Sequence, residues 1–386
     1  MKKQKIILIT ICFLLIPSFH SAADENYFDR TVEGSTGWNA VEMNLMSEAS
    51  ASSAEVAWLL AGTAFRIAEE DGDWWRVVLA DNTEGYVQHD YCMINLPDVL
   101  PTIEYDITNS YAAIYQSSGY TIDGVTGEKL YDAGDLDGKE WNEKLGRYEY
   151  LVPVMYSTAK KIAIAQFNAY TLTDGRYTLK IYDAYRPHSV SVYIAEKFSE
   201  LYYSNLVVQE NVDSCTQPDG NMYEWGIRWF LAQSVSTHNT GAAIDVTLCE
   251  YEAENEAENE IGYEAENEAE NEVGYEAEYD AVSSEYVELS MQTAMHELST
   301  DAIKYYSGSV EKAPENYADT MNDNAILLDH IFSGGDYGEY SFISTGMTSL
   351  ASEWWHFQDN DTHRRVKEFA SSGMDFQVED CLSNGR

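Results

Sequence analysis

Alternating apolar and polar positions between residues 39 and 97 predict a series of short β-strands. The strand-like stretches are residues 56–60, 64–68, 74–79 and 86–87. Asp71 and Gly72 separate two of them, and an Asp-Gly pair favours the tight turn of a hairpin. Because Trp74 and Trp75 follow each other on a strand, we expect one in the core and one at the surface. Hairpins this closely spaced are typical of a small all-β domain that closes into a barrel.

Helix-like and strand-like patterns mix beyond residue 103 and predict an α+β domain over residues 103–370. Pro97 and Pro101 bracket a short extended piece before it, which we interpret as a linker. Helices are predicted at residues 157–170, 188–202 and 325–331, and strands at residues 103–107, 177–182 and 242–248. With a final hairpin over residues 346–357, these elements predict a mainly antiparallel sheet with flanking helices.

The chain opens with lysines, followed by the apolar run 6–16 and the small residues 21–23. This pattern predicts a secretory signal peptide over residues 1–23. The apolar run is shorter than the about 20 residues that a membrane helix needs, and an uncleaved anchor helix stays open as the alternative. Cys12 lacks the small-residue context of a lipoprotein cleavage site. We therefore expect a secreted, extracytoplasmic protein without a membrane segment after signal removal.

The chain is strongly acidic, with a formal net charge of −43. Nucleic acid and anionic lipid both require clustered Lys and Arg, so these two classes of partner are excluded. Roughly a third of the excess negative charge lies in an insertion at residues 250–280, where a Glu-rich unit begins at residues 251, 263 and 275. Such a run cannot bury an apolar face, so we expect a solvated insertion that leaves the sheet at a hairpin tip.

Outside the signal segment the chain has four cysteines, and an exported protein could pair them in three ways. They are Cys92, Cys215, Cys249 and Cys381. None belongs to a Cys-x-x-Cys motif, so a cysteine zinc site is not expected.

The richest chemistry lies in residues 236–245, which read STHNTGAAID. There a polar turn containing glycine leads into an apolar strand, with His238 and Asp245 on either side. Imidazole and carboxylate together form a zinc-type ligand set, and a catalytic zinc has three protein ligands plus one open position. His356 can supply the third ligand, and Glu353, three residues before it, is the natural general base.

Two further expectations follow from the local sequence. Positions three apart on a flat strand point to opposite faces, so the chain must bend at Trp354 and Trp355 to bring Glu353 and His356 together. Arg186 precedes a proline, which favours extended backbone. The guanidinium is therefore expected at a strand end, where it can reach into a cleft.

Three segments in this order resemble the zinc D-Ala-D-Ala peptidases, which include the vancomycin-resistance D-Ala-D-Ala dipeptidases and their D,D-carboxypeptidase relatives. They read YDAYRP at residues 182–187, STHNTGAAID at 236–245 and EWWH at 353–356. The likeness covers residues 103–359 with one interruption, and it implies a Zn²⁺ cofactor. The residues that it assigns are His238, Asp245 and His356 as ligands, Glu353 as base, Arg186 as the transition-state cation, and Ser236 and Tyr185 as substrate contacts.

The resemblance leaves the substrate open between free D-Ala-D-Ala dipeptide and peptidoglycan stem peptides. Where the dipeptidases carry an Asp that grips the substrate ammonium, this chain has His296, and a histidine would not pair with a free amino terminus. His296 thus favours a D,D-carboxypeptidase, whereas the form of the three segments favours a dipeptidase. His188 lies two residues after Arg186 but outside the matching motif, and we interpret it as a surface residue.

The N-terminal pattern resembles bacterial Src-homology-3-like domains, which in exported enzymes often bind cell-wall peptidoglycan. The matching letters are GT at residues 62–63, DGDWWRV at 71–77 and GYV at 85–87. We assign this domain to residues 39–97 and expect it to bind the cell wall. A wall-binding protein with an inert zinc site is the alternative from a different functional class.

Overall fold

A computed structural model describes residues 26–107, 139–213, 230, 232, 235–252, 286–297, 299–305 and 317–368. The predicted signal peptide, nearly all of the acidic insertion, Cys215 and Cys381 lie outside the described residues. Among the described residues, Cys92 and Cys249 are buried free thiols, so they do not pair with each other. No helix in the described ranges has both the length and the apolar character that a membrane span needs.

The elements form an α+β architecture whose sheets are mostly antiparallel, as predicted. The strands are β1 (Thr36–Asn39), β2 (Met43–Met46), β3 (Glu55–Leu59), β4 (Ala64–Asp71), β5 (Trp74–Leu79), β6 (Glu84–Gln88), β7 (Cys92–Asn95), β8 (Glu104–Tyr105), β9 (Glu140–Asn142), β10 (Arg147–Glu149), β11 (Pro153–Met155), β12 (Tyr177–Asp183), β13 (Ala243–Tyr251), β14 (Tyr286–Glu288), β15 (Gly335–Tyr337), β16 (Tyr340–Phe342), β17 (Thr348–Ser349) and β18 (His356–Gln358). The helices are α1 (Tyr156–Gln166), followed by a π-helical turn at Phe167–Thr171, α2 (His188–Ser204), α3 (Leu206–Asp213), α4 (Asp323–Ser333) and α5 (Asn360–Lys367).

The first sheet has the strand order β11-β7-β1-β4-β5-β6-β2-β3. The hairpin predicted at Asp71 and Gly72 joins β4 to β5, and Asp71 is the register partner of Trp74. Gly72 has a φ of 59°, which lies in the left-handed region that glycine adopts without strain. Trp75 is fully buried and Trp74 is partly exposed, so the predicted alternation of the two tryptophans is confirmed.

The strand path of the first sheet is open, so the predicted closed barrel is not observed. β11 (residues 153–155) lies within the predicted second domain and pairs with β7, with Val154 opposite Ile94. Closure of the barrel would require β7 to pair with β3. The free edge of β7 is hydrogen-bonded to β11 instead. β3 forms the opposite end of the path. A sheet edge can be satisfied by any strand of suitable register, and here the downstream chain supplies it.

The predicted linker between Pro97 and Pro101 is instead part of the core. Residues Leu96–Asp98 form a 3₁₀ turn, and Val99 and Leu100 are fully buried. The turn is tied back to the first sheet, because the Thr36 backbone N–H donates a 2.8 Å hydrogen bond to the Asp98 carboxylate. The segment between the two prolines is therefore buried and not an exposed linker.

A buried apolar cluster also joins the first sheet to the rest of the chain. Trp38, Met93 and Met155 of the first sheet pack there with Tyr185 and Val366. Since these side chains lie in one cluster, removal of the first sheet would expose apolar surface on the C-terminal part. The two predicted domains therefore share a core.

The second sheet has the order β17-β18-β13-β12-β8, and β14 also pairs with β13. The β12–β8 pairing is parallel and the others are antiparallel. β13 is central, and its residues 243–249 are all buried, as expected for a continuous apolar run. Its register places Asp245 between Asp183 of β12 and His356 of β18. One end of this sheet thus collects residues from all three segments that carry candidate chemistry.

Helix α4 is tied to the strand that carries His356 by a buried ion pair. Lys304 Nζ lies 3.2 Å from Asp329 Oδ1, and both side chains are fully buried. The Ser349 hydroxyl donates a 2.8 Å bond to the same Asp329 oxygen. Lys304 Nζ also lies 4.0 Å from the centroid of the Phe357 ring. Because a buried charge is stable only when it is paired, these contacts hold β18 against α4.

Candidate metal centre

Three candidate ligands converge at one end of the second sheet. Asp245 and His356 are register partners on β13 and β18, so their side chains leave adjacent strands next to each other. His238 lies on the 3₁₀ turn His238–Thr240, just before β13. All three side chains are buried, and their ligand atoms lie within 4.8 Å of one another.

The three ligand atoms form a compact triangle. His238 Nε2 lies 3.1 Å from His356 Nδ1 and 3.3 Å from Asp245 Oδ1. His356 Nδ1 lies 3.1 Å from the same Asp245 oxygen. Two ligand atoms that each bind a tetrahedral zinc at about 2.0–2.1 Å are about 3.3 Å apart. The triangle therefore has the dimensions of one face of a zinc coordination tetrahedron.

Each of the two histidine rings has one nitrogen in the triangle and one that faces outward. The hydrogen bond of the outward nitrogen determines which of the two carries the proton in the neutral ring. His238 Nδ1 lies 2.7 Å from the Ala184 carbonyl oxygen, which can only accept, so Nδ1 carries the proton. His356 Nε2 lies 3.0 Å from Gln358 Oε1, and the amide nitrogen of Gln358 donates to Asn360. In the neutral rings, His238 Nε2 and His356 Nδ1 are both unprotonated.

This donor set fits a zinc ion. Two nitrogen lone pairs and a carboxylate oxygen at these separations repel one another unless a cation lies between them. Each ring donates outward to a protein oxygen, which is how metal-binding histidines are oriented. Two imidazoles and one carboxylate are also a known ligand set for catalytic zinc, with one position left for water or substrate.

The turn that carries His238 is built from local side-chain bonds and one glycine. The Ser236 backbone N–H donates to Asn239 Oδ1 at 2.9 Å, and Asn239 Nδ2 donates to the Arg186 carbonyl at 2.8 Å. Gly241 ends the turn with a φ of 65°, where a side chain would be strained. A Cβ on this glycine would lie 3.1 Å from Met93 Sδ, so the first sheet packs directly against the turn.

The second carboxylate oxygen of Asp245 faces two donors. Oδ2 lies 2.7 Å from His296 Nε2 and 3.5 Å from Arg186 Nη2. Burial opposes ionisation, yet the neighbouring His238 and His296 hold the pKa of Asp245 well below its usual range. Asp245 is therefore ionised, as a carboxylate ligand must be.

Glu353 lies beside the ligands, with its Oε2 3.8 Å from His356 Nδ1. The chain makes a turn at Trp354 and Trp355, which confirms the bend predicted from the three-residue spacing. The Trp354 indole N–H donates a 2.9 Å bond to the Thr293 hydroxyl, and Trp355 is buried. Both tryptophans thus hold the turn that places the Glu353 carboxyl next to the metal ligands.

The environment of Glu353 suits a general base. Its residue exposure is 7%, and burial raises the pKa of Glu353 to about 7, although the nearby His356 opposes the rise. A carboxyl group with a pKa near the working pH can both accept and return a proton, which general acid–base catalysis requires.

The same burial predicts a pH-dependent stability of the metal-free protein. The folded state raises the pKa of Glu353 from 4.5 to about 7, so it holds this proton more tightly than the unfolded chain does. This stabilisation is complete below the unfolded pKa and is lost as the pH rises through the folded one. We therefore expect metal-free Glu353→Gln to gain stability over the unchanged protein between about pH 5 and about pH 8. Urea unfolding in a chelator measures the gain, and a constant difference across this range would contradict it.

Arg186 lies at the same end of the sheet and is held by Asp183. Its Nε donates a 2.8 Å bond to Asp183 Oδ2, and its Nη2 also donates to this oxygen. A bulge in the β12–β13 pairing lies immediately before Asp183. The guanidinium is buried and reaches Asp245, so it places positive charge against the candidate centre.

Two predicted substrate contacts have other roles in the structure. Tyr185 is fully buried in the cluster with Trp38 and Met93, so it offers no surface to a substrate, and we correct that prediction. Its position after β12 directs it to the shared core. Ser236 is partly buried, and its hydroxyl accepts a 3.3 Å bond from the Asn239 backbone N–H. A substrate contact by Ser236 stays a prediction.

Asp183 and Gln358 were not predicted from the sequence, and His296 was not predicted to contact a metal ligand. The signals for the first two are local, because Asp183 precedes Arg186 by three residues and Gln358 shares a strand face with His356. No local pattern links His296 to Asp245, which lies 51 positions away along the chain. His188, predicted at the surface, is the partly buried first residue of α2.

Comparison with known protein families matches residues 40–92 to the bacterial SH3 domain. The N-terminal strands, which we predicted as a domain of residues 39–97, are therefore SH3-like. A search of curated proteins returned no match. These comparisons give no support to the resemblance of residues 103–359 to the D-Ala-D-Ala peptidases.

Proposed function

We propose that the protein is a zinc metallopeptidase of the D-Ala-D-Ala dipeptidase type, acting in cell-wall peptidoglycan metabolism. The observation that carries this proposal is the buried triangle of ligand atoms of His238, Asp245 and His356, with the Glu353 carboxyl beside it. A zinc ion bound there would act as a Lewis acid and lower the pKa of its water from about 16 to about 7.

Glu353 is the proposed general base. Its carboxylate accepts the proton of the attacking water and returns it to the amine that leaves when the peptide bond breaks. The role needs a carboxyl group that lies close to the metal ligands but does not itself bind the metal. Glu353 Oε2 lies 3.8 Å from His356 Nδ1, and Glu353 is not part of the ligand group. The turn at Trp354 and Trp355 fixes this distance, because both indoles are buried.

Arg186 is the proposed cation for the transition state. A positive group that is already in place stabilises the charge that develops on the carbonyl oxygen, by about 3–4 kcal/mol for a well-placed donor. Asp183 holds the guanidinium through two of its nitrogens, so little reorganisation is needed during the reaction. The contact with Asp245 puts the guanidinium within the same buried group of side chains.

The resemblance of three segments to the D-Ala-D-Ala peptidases supports D-alanyl-D-alanine as the bond that is cleaved. A D,D-carboxypeptidase acting on stem peptides is the second candidate, because His296 stands where a dipeptidase would place a carboxylate for the substrate ammonium. The His296 ring has no carboxylate to offer. It is also buried and hydrogen-bonded to Asp245, so it does not face a substrate amino group.

Release of D-alanine from free D-Ala-D-Ala and from a stem pentapeptide tests the proposal. The zinc-loaded protein is expected to hydrolyse the free dipeptide, and a preference for the pentapeptide would select the second candidate. A protein that binds zinc one-to-one but releases D-alanine from neither substrate would contradict the peptidase proposal. That result would favour a wall-binding protein with an inert zinc site.

The N-terminal SH3-like domain is the proposed attachment to the cell wall, and residues 1–23 are the proposed export signal. In the SH3-like domain, β3 is the edge strand of the sheet. It presents Val56 and Trp58 on one face, and Leu60 follows two residues after Trp58. All three are exposed, with 58% of Trp58 accessible. An exposed tryptophan between aliphatic side chains is a suitable contact for sugar rings and peptides.

Trp58→Ala is expected to weaken the binding of the full-length protein to purified peptidoglycan without reducing zinc binding. The indole is mostly exposed, so its loss removes contact area and leaves the core intact. Sedimentation with insoluble peptidoglycan measures the bound fraction. Trp141→Ala is the matched control, because Trp141 is an exposed tryptophan on β9, outside the SH3-like domain. Equal sedimentation of the two variants would remove Trp58 from the wall contact.

A further inference from the structure

The carboxylate of Asp245 has two oxygens in different surroundings. Oδ1 lies 3.3 Å from His238 Nε2 and 3.1 Å from His356 Nδ1, so it belongs to the ligand triangle. Oδ2 lies 2.7 Å from His296 Nε2 and 3.5 Å from Arg186 Nη2. One oxygen therefore faces the candidate zinc position, and the other faces hydrogen-bond donors of the protein.

His296 is held firmly in this contact. Only 2% of the residue is exposed, and its ring packs edge-on against Trp355 with 5.7 Å between ring centroids. Its backbone has a φ of 59°, in the left-handed region that a residue with a side chain seldom adopts. Such a conformation persists only when the surrounding contacts fix it. Trp355 directly precedes the ligand His356, so the ring packs against the ligand-bearing strand as well.

The chemistry of the contact is that of an outer-shell partner of a metal ligand. An ionised carboxylate can only accept, so His296 Nε2 carries the hydrogen that it donates to Oδ2. This bond restricts rotation of the carboxylate and leaves Oδ1 as the oxygen available to a cation. The ring itself is not part of the three-residue ligand group. Donors of this kind orient first-shell ligands and typically change metal affinity by 10- to 100-fold when removed.

We propose that His296 is a positioning residue that fixes Asp245 as a single-oxygen zinc ligand. The inference rests on the proposed zinc site and adds a residue that the ligand pattern itself does not contain. It also gives a reason for a buried histidine at a backbone position with positive φ, which glycine would adopt without strain.

The test compares His296→Gln with His296→Leu. Both side chains are unbranched at Cβ, but only glutamine retains an N–H donor. Zinc affinity is measured by competition with a chromogenic chelator, and the ligand geometry by the visible absorption of the Co²⁺-loaded protein. We expect zinc affinity to fall 10- to 100-fold in His296→Leu, with an altered Co²⁺ spectrum, and to fall clearly less in His296→Gln. His330→Gln, on helix α4, is the control for replacing a histidine elsewhere.

The outcomes separate this inference from the proposed function. Equal zinc affinity in the leucine and glutamine variants, whether high or low, would overturn the positioning role while leaving the zinc site in place. Failure of the unchanged protein to bind zinc would overturn the zinc site and the positioning role together. Circular dichroism of the metal-free variants accompanies the titrations, so that affinities are compared only between folded proteins. If the leucine variant does not fold, His296→Asn, with a shorter amide that cannot span the distance, takes its place and is expected to show the same loss.

Discussion

Glu353→Gln is expected to lose about 10²- to 10⁴-fold in kcat for D-Ala-D-Ala hydrolysis while retaining zinc. Glutamine has the size of glutamate but cannot accept a proton from water, so the variant removes the proposed base and little else. Zinc stoichiometry should not change, because the three ligand atoms belong to His238, Asp245 and His356. The measurements are D-alanine release under substrate saturation and metal content after dialysis.

Glu297→Gln is the matched control for this experiment. Glu297 is also a buried glutamate, exposed by 8%, but it is not part of the three-residue ligand group. It should keep most of the activity. Near-normal turnover by Glu353→Gln would remove the residue from the mechanism, whereas loss of zinc from this variant would show that Glu353 is needed to hold the metal.

His238→Ala is expected to lose both zinc binding and activity. The substitution leaves two of the three ligands and frees the Ala184 carbonyl that oriented the ring. The thermal stability of the protein supplies an independent readout, because a ligand at about 100 times its Kd stabilises the folded state by about 2.7 kcal/mol. Zinc should therefore raise the melting temperature of the unchanged protein and leave that of His238→Ala unchanged.

His363→Ala is the control for this second experiment. His363 Nδ1 lies 2.9 Å from the hydroxyl of Thr240, on the same turn that carries His238, but it is not part of the ligand group. Its loss perturbs the turn without removing a ligand, so zinc should still raise the melting temperature. A zinc-dependent shift of equal size in His238→Ala would place the metal elsewhere.

The structure brings together the three candidate ligands that residue chemistry and order along the chain had singled out. A histidine and an aspartate on either side of a glycine-containing turn and a distant Glu-x-x-His offered such a set, and the resemblance to the D-Ala-D-Ala peptidases implied it. The bend at Trp354 and Trp355 followed from the geometry of a strand. The register that makes Asp245 and His356 neighbours was not predictable, because it depends on long-range pairing of strands 111 positions apart.

Other features could not be predicted because they arise from contacts between distant parts of the chain. Tyr185 lies in a motif full of polar chemistry, yet the position of the first sheet beside it makes it a core residue. The barrel prediction was wrong because a hairpin pattern does not show which strand will pair with its free edge. β11 is a three-residue strand with no alternation to reveal its partner.

Strand β11 has a mechanical consequence for the proposed function on an insoluble polymer. It is hydrogen-bonded into the SH3-like sheet, and its last residue donates to the carbonyl of Gly241 beside the proposed ligand turn. The SH3-like sheet and the turn that carries His238 are therefore joined directly through hydrogen bonds of one strand. Under the proposed wall attachment, the candidate metal centre would therefore reach only peptide bonds at a fixed distance and angle from the glycan strand that the SH3-like domain binds.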